Sequence, residues 1–322
     1  MNVLKIANEL DKINVDLRAS NFEIRVHDKN EVLVIFEVIR ELEVISSRPK
    51  FEFNEGVLKI TQETQNNSFG TRHSNDGIMH VNIRQSGTNI ISIDRNTSIT
   101  INNGQFAVNG RPVEAGYLNT IANMNFIDTG IVIVYIPHNF SLDELRINLI
   151  NNSADIFGSN VFSIAKAHST ASNGSIMFTD VNLHNIDLTA SNGSLVLDNV
   201  TTLNNGEISL QTSNGSIAII DSKIASVLNA RTSNGSINLS DSSFSEDIFT
   251  ESSNGSINWS GVNAAKNASA IVSNGTVTIE NSVVNSKLTA RSSNGKVNLR
   301  NVDTDMDAAD IRATRPENVS IQ

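Results

Sequence analysis

Six histidines (His27, His73, His80, His138, His168 and His184) and one acidic run are the side chains of this chain best placed for chemistry. None of the histidines stands at the spacing of a zinc motif, and the absence of cysteine excludes thiolate ligands, thiol nucleophiles and disulfides. His73 and His80 flank an Asn-Asp-Gly turn, where a loop metal site competes with the plainer reading of exposed loop residues. Asp303, Asp305, Asp307 and Asp310 begin with the i, i+2, i+4 spacing of a calcium loop, but the loop glycine and closing glutamate are missing. A solvated acidic face is expected there. Serine is abundant, yet no Gly-x-Ser-x-Gly elbow occurs that would expose one as a nucleophile. No catalytic, cofactor-binding or metal residue is assigned, and no cofactor is expected.

What must position these side chains is a repeat. Ser-Asn-Gly recurs seven times, with asparagines at Asn173, Asn192, Asn214, Asn234, Asn254, Asn274 and Asn294. The glycines are Gly174, Gly193, Gly215, Gly235, Gly255, Gly275 and Gly295, at successive gaps of 19, 22, 20, 20, 20 and 20. Such a period marks a stacked architecture. After each glycine comes an alternating apolar pair, Ile176/Phe178, Leu195/Leu197, Ile217/Ile219, Ile237/Leu239, Ile257/Trp259, Val277/Ile279 and Val297/Leu299. Before each Asn-Gly runs a second alternation, such as Leu228/Ala230/Thr232 or Leu288/Ala290/Ser292. Period-two patterning means strands, so two short strands per repeat are expected, with the length changes in the connection between them.

Asn-Gly reads as the turn, since glycine and asparagine tolerate positive φ. If the repeats stack as rungs, the seven asparagines lie above one another and their amides hydrogen-bond along the stack, over roughly 33 Å for seven rungs. Arg231 would meet Glu251, and Glu280 would meet Arg300. Replacing Asn234 is expected to destabilise more than replacing the outward Asn238. The rival arrangement is an antiparallel meander, because Asn-Gly between alternating runs is also a hairpin signal. A solenoid is preferred because it buries both inner faces against each other, whereas a meander leaves one apolar face uncovered.

Residues 1–150 lack the repeat and read as a β-rich region capping the solenoid of residues 151–322, which carries its own C-terminal cap. Strands are expected around Ile13/Val15/Leu17, Phe22/Ile24/Val26, Val32–Ile39, Val57/Leu58/Ile60, Ile90/Ile91/Ile93, Ile99/Ile101 and Phe106/Val108. Residues 62–76 read as a flexible loop, and 116–127 as a short helix or another strand. Residues 151–172 read as a degenerate first rung, and Val319 with Ile321 as a last strand.

The repeated Ser-Asn-Gly-[Ser/Thr]-[Ile/Leu/Val]-x-[Ile/Leu] unit, with the lead-in Gly130-Ile-Val-Ile-Val-Tyr-Ile-Pro137, resembles the bacterial adhesin-type β-strand repeat family of unknown function. The resemblance implies an all-β solenoid, a bacterial and often envelope-associated setting, and no catalytic residues. Composition restricts the partners independently. A net charge of −10 and a pI of about 5.1 leave no basic footprint for nucleic acid. No apolar run reaches transmembrane length, and Met1–Ser20 has no signal-peptide core, which reads as cytoplasmic for the sequence as given. The expected function is a non-enzymatic scaffold binding a protein or cell-envelope component. The alternatives are an intracellular accessory of an envelope-stress response and a carbohydrate-active β-helix enzyme. Against the enzyme, aromatics are few and no carboxylate column persists across repeats. Six turns match Asn-Gly-[Ser/Thr], the glycan-acceptor pattern, but the turn itself generates it.

Overall fold

The computed structural model describes residues 2–6, 10–18, 20–38, 48–62, 68–73, 79–84, 99–102, 105–108, 111–113, 130–159, 161–203 and 206–322. The chain is an all-β solenoid of about nine turns at about 20-residue spacing. Pairing between rungs is parallel: Ile237 lies opposite Ile257, Leu239 opposite Trp259 and Thr232 opposite Ser252. The meander is therefore excluded, because equivalent residues of successive repeats are neighbours. The alternating apolar residues point inward. Ile237, Ile248, Ile257 and Leu288 have no exposed surface, and Trp259 is 1% exposed.

Each full rung carries a third strand that the two-strand reading missed. Strand Ile237–Ser240 is followed by the two-residue strand Ser243–Phe244 and then by Ile248–Ser252. Lys223–Ile224 and Asn263–Ala264 are its counterparts, and later rungs merge it into Val277–Val284 and Val297–Thr304. It buries Ile224, Phe244, Ala264 and Val284. The other inward position of this side switches between valine (Val181, Val200, Val262) and serine (Ser222, Ser242, Ser282), so no single residue type marks it along the repeat. Ser222, Ser242 and Ser282 are buried but satisfied: each Oγ donates at 2.7 Å to the carbonyl two residues earlier. Each also accepts an amide of the rung before at 3.0–3.1 Å. All changes in repeat length fall at the corner after this third strand, between Leu183 and Ile186, Thr202 and Ile208, or Ile224 and Leu228. A length change there leaves the register of every strand intact.

The Asn-Gly glycines are not left-handed, which corrects the reason given for them above. Among described glycines only Gly56 and Gly261 have positive φ. The repeat needs glycine for proximity: a Cβ on Gly215, Gly235 or Gly255 would lie 1.8–1.9 Å from the carbonyl oxygen of the corresponding glycine one rung back. Left-handed backbone occurs six residues later, at Asp180, Asn199, Asp221, Asp241, Gly261, Asn281 and Asn301, with φ between 48° and 65°. Aspartate, asparagine and glycine are the residues that take this conformation most readily. That column turns the corner between the first and third strands.

Parallel pairing runs unbroken across residue 150. Strand Lys12–Leu17 lies between Val57–Thr61 and Ser141–Leu149, and Ser20–His27 lies between Gly130–Pro137 and Ala154–Phe157. Beyond them the pairing becomes antiparallel. Lys50–Asn54 folds onto Val57–Thr61 through Glu55-Gly56, both at positive φ as a two-residue hairpin demands. Val32–Val38 covers Gly130–Pro137, and Asn2–Ile6 covers Val32–Val38. At the other end Val319–Ile321 pairs with Val297–Thr304. The loop expected at 62–76 is overturned in part, because Ser68–His73 is a strand antiparallel to Met79–Arg84. Its partner carries the alternation Met79/Val81/Ile83, which a reading of 62–76 alone passes over. Strands Ile99–Asn102 and Gln105–Val108 pair with each other, while Ile90/Ile91/Ile93 and residues 116–127 lie outside the described residues.

A candidate binding face

The strands that precede each Asn-Gly form the broadest face of the stack, and their outward side chains line up by register. One row reads Lys59, Asn14, Arg146, His168, Asp187; the next reads Thr61, Asp16, Asn148, Thr170, Thr189. Neighbours in a row are one strand spacing apart, about 4.8 Å. The second row is internally bonded, with Asn148 Nδ2 donating to Asp16 Oδ1 at 3.2 Å and Thr170 Oγ1 to Asn148 Oδ1 at 3.1 Å. In the first row Arg146 is fixed by Glu144 at 2.6–2.7 Å and His168 Nδ1 by Asp187 at 3.0 Å. Arg146 holds the Glu144 carboxyl below the usual range, more by hydrogen bonding than by charge. Asn14 Oδ1 is buried with no hydrogen-bond partner among the described residues.

These rows enclose an open groove of about 600 Å³ whose lining includes Lys59, Arg146, His168, Asn14 and Asp16. A second groove, about 330 Å³, lies farther along the same face between Arg231, Glu251, Phe249 and Ile271. Phe249 and Ile271 are its exposed apolar residues, 42% and 36% accessible. Arg231 and Glu251 pair at 3.5 Å, and Arg300 pairs with Glu280 at 3.0 Å on the neighbouring face, both as the register predicts. Exposed pairs of this kind contribute roughly 0–1 kcal/mol each.

The seven asparagines edge this face. Asn192, Asn214, Asn234, Asn254, Asn274 and Asn294 each donate Nδ2 to the Oδ1 of the asparagine before, at 2.6–2.9 Å, and Asn173 donates to Asn151. Every one of these amide nitrogens, the atom a glycan would occupy, is thus engaged. Asn238 is bonded too, accepting from Asn258 at 2.9 Å, so it is no neutral comparison for Asn234.

The other expected chemical residues are dispersed. His27 contacts the Glu31 carbonyl at 2.7 Å, and His138 contacts Asp28 at 3.1 Å. His73 and His80 lie on the paired strands Ser68–His73 and Met79–Arg84. Asp310 is bound by Arg291 and Arg312, while Asp303, Asp305 and Asp307 are exposed. No three His, Asp or Glu side chains among the described residues come close enough to share a metal ion. Ser209 shares a row with His168 but lies beyond Asp187, two rungs away at about 9.6 Å, so the imidazole cannot reach its hydroxyl.

Two carboxylates do meet. Asp155 and Glu23 are register partners on the neighbouring face, and Glu23 is held by Arg25 at 2.5 Å. Burial, and then the Glu23 charge, push the Asp155 carboxyl up. Sequence reasoning missed this pair because its members are 132 residues apart and outside the repeat.

Rung-on-rung parallel pairing, a continuous apolar interior and outward rows of polar side chains define a β-solenoid scaffold. The chain matches the Toastrack DUF4097 family over residues 10–258 and belongs to that uncharacterised family. No curated protein and no solved structure matches it significantly. No helix among the described residues is long and apolar enough to cross a membrane.

Proposed function

We propose that this Toastrack protein is a non-enzymatic scaffold that binds a protein or cell-envelope component through the face bearing Lys59, Arg146, His168 and Phe249. The observation that carries this reading is that both grooves open on the same face. There the backbone stack holds side chains at one fixed interval, so many weak contacts act in register. The asparagine column stiffens the edge of that surface. An adhesin role is one form of this function; an accessory role in an envelope-stress response is another. The test is co-sedimentation with isolated cell envelopes. Arg146→Glu with His168→Glu should abolish binding, whereas Asn298→Glu on the neighbouring face should leave it intact. Equal loss from both variants, or no binding by the parent, sinks the reading. Protease treatment of intact cells then separates surface display from an internal role.

The Glu23–Asp155 pair favours one second reading, a carbohydrate-active enzyme in which the raised Asp155 serves as general acid. Polysaccharide hydrolysis lost in both Glu23→Gln and Asp155→Asn would support it.

A further inference from the structure

The stack forces a labile dipeptide to recur. Glycine is required after each asparagine because a Cβ would strike a backbone carbonyl of the rung before, Asn152 for Gly174 and a glycine for the other six. A glycine nitrogen, unshielded by any side chain, is also the best placed to attack the preceding asparagine amide. Its nitrogen adds to the Asn Cγ, the C–N bond closes a succinimide, and ammonia leaves. Water then opens the ring at either carbonyl, giving aspartate or isoaspartate; only water is consumed, and nothing is oxidised or reduced.

Interior asparagines are held away from this reaction. Asn254 donates to Asn234 at 2.9 Å and accepts from Asn274 at 2.8 Å, so its side chain must break two bonds before it can turn toward Gly255. At Gly215 and Gly235 the attacking nitrogen is itself occupied, donating to Thr212 and Thr232 Oγ1 at 3.1 Å. Asn294 is different. It donates to Asn274 at 2.9 Å, but no described residue donates to its Oδ1. The next turn of the chain replaces Asn-Gly with the 3-10 turn Pro316–Asn318. At the opposite end the column continues to Asn151, which is followed by Asn152 and not by glycine.

We propose that Asn294 is a site of spontaneous deamidation, and that the asparagine column erodes from this end while its interior stays intact. The product carboxylate loses the donor that bonds Asn274 and sets a negative oxygen against the Asn274 Oδ1. The last rung that carries Asn-Gly, Leu288–Ser292 with Val297–Thr304, would then loosen beneath the closing strands Asp310–Ala313 and Val319–Ile321 as the molecule ages.

The experiment is peptide mapping by mass spectrometry of the full chain, aged in mildly alkaline heavy-oxygen water, folded and in concentrated urea. In the folded protein Asn294 should convert roughly three- to tenfold faster than Asn254, the effect of one fewer hydrogen bond to break. Asn214 and Asn234 should be slowest. In urea the seven rates should converge. An interior asparagine that matches or outruns Asn294 in the folded protein overturns the proposal. So does a lead for Asn294 that persists in urea, since that would trace to Lys296, two residues on, and not to the fold. As a second readout, Asn294→Asp should speed hydrogen exchange in Leu288–Ser292 and Val297–Thr304 and leave Ile237–Ser240 unchanged; protection lost throughout, or nowhere, counts against it.

Discussion

Gly235 sits directly against Gly215: a Cβ on Gly235 would lie 1.8 Å from the Gly215 carbonyl oxygen. The obstruction is backbone, which cannot swing aside. Gly235→Ala should therefore cost about 3 kcal/mol or more. Gly261 is the contrast. Its φ is +65° and the nearest obstacle is the Asp241 carboxylate at 2.5 Å, a side chain that can move. Gly261→Asn supplies the residue found at Asn281 and Asn301 and should change stability by only about 0.5 kcal/mol. Urea midpoints for the two variants check both statements, and a mild Gly235→Ala would refute the close-approach argument.

Asn254→Ala removes one donor and one acceptor from the column. Because these groups are exposed, the loss should be about 1 kcal/mol. The suitable control is Thr278→Ala, an outward strand residue whose side chain makes no hydrogen bond among the described residues. Equal midpoints for these two variants would show that the column adds nothing to stability.

Phe244 fills the third side of its rung and is 2% exposed. Phe244→Ala should cost about 3–5 kcal/mol. A loss below 1 kcal/mol would mean that the short strand is not part of the cooperative core.

Two carboxyls should move stability with pH in opposite directions. Arg291 lowers the Asp310 carboxyl by hydrogen bonding, so its contribution is present above the unfolded carboxylate range and disappears as pH falls through its folded value. Asp155 is raised by burial and by Glu23, so the folded state binds its proton more tightly and loses stability as pH rises from the unfolded value through the folded one. Asp310→Asn should flatten the acid limb of a pH–stability curve. Asp155→Asn should raise stability at neutral pH, and a fall there would contradict the assignment.

The stacked rungs were legible because a solenoid repeats its constraints. Ile237 and Leu239 recur as the same inward pair in every unit, and burying both inner faces against each other favoured the parallel register that pairs them with Ile217, Ile219, Ile257 and Trp259. Phe244 was not legible, because one apolar residue beside an inward serine shows no period. The left-handed corner at Asp221 and Asp241 was hidden by the louder Asn-Gly signal, which suggested the right residue types at the wrong corner. The groove row was out of reach for a different reason. Lys59, Asn14 and Arg146 are adjacent only because distant, non-repeated strands pair, and no local pattern encodes that pairing.

That pairing also sets an order of assembly. Asn21 accepts a hydrogen bond from the backbone of Ser153, and Asn148 bonds Asp16; each contact spans 132 residues. The rungs from Ile176 onward need only their neighbours and can wind up locally. Strand Lys12–Leu17 can pair early with Val57–Thr61, but its other edge and strand Ser20–His27 must wait until residues 130–157 have left the ribosome, and closing so long a loop is slow. The part of the molecule synthesised first thus settles only once the middle of the chain is made, whereas each rung of the repeat can close on the one before it as it emerges.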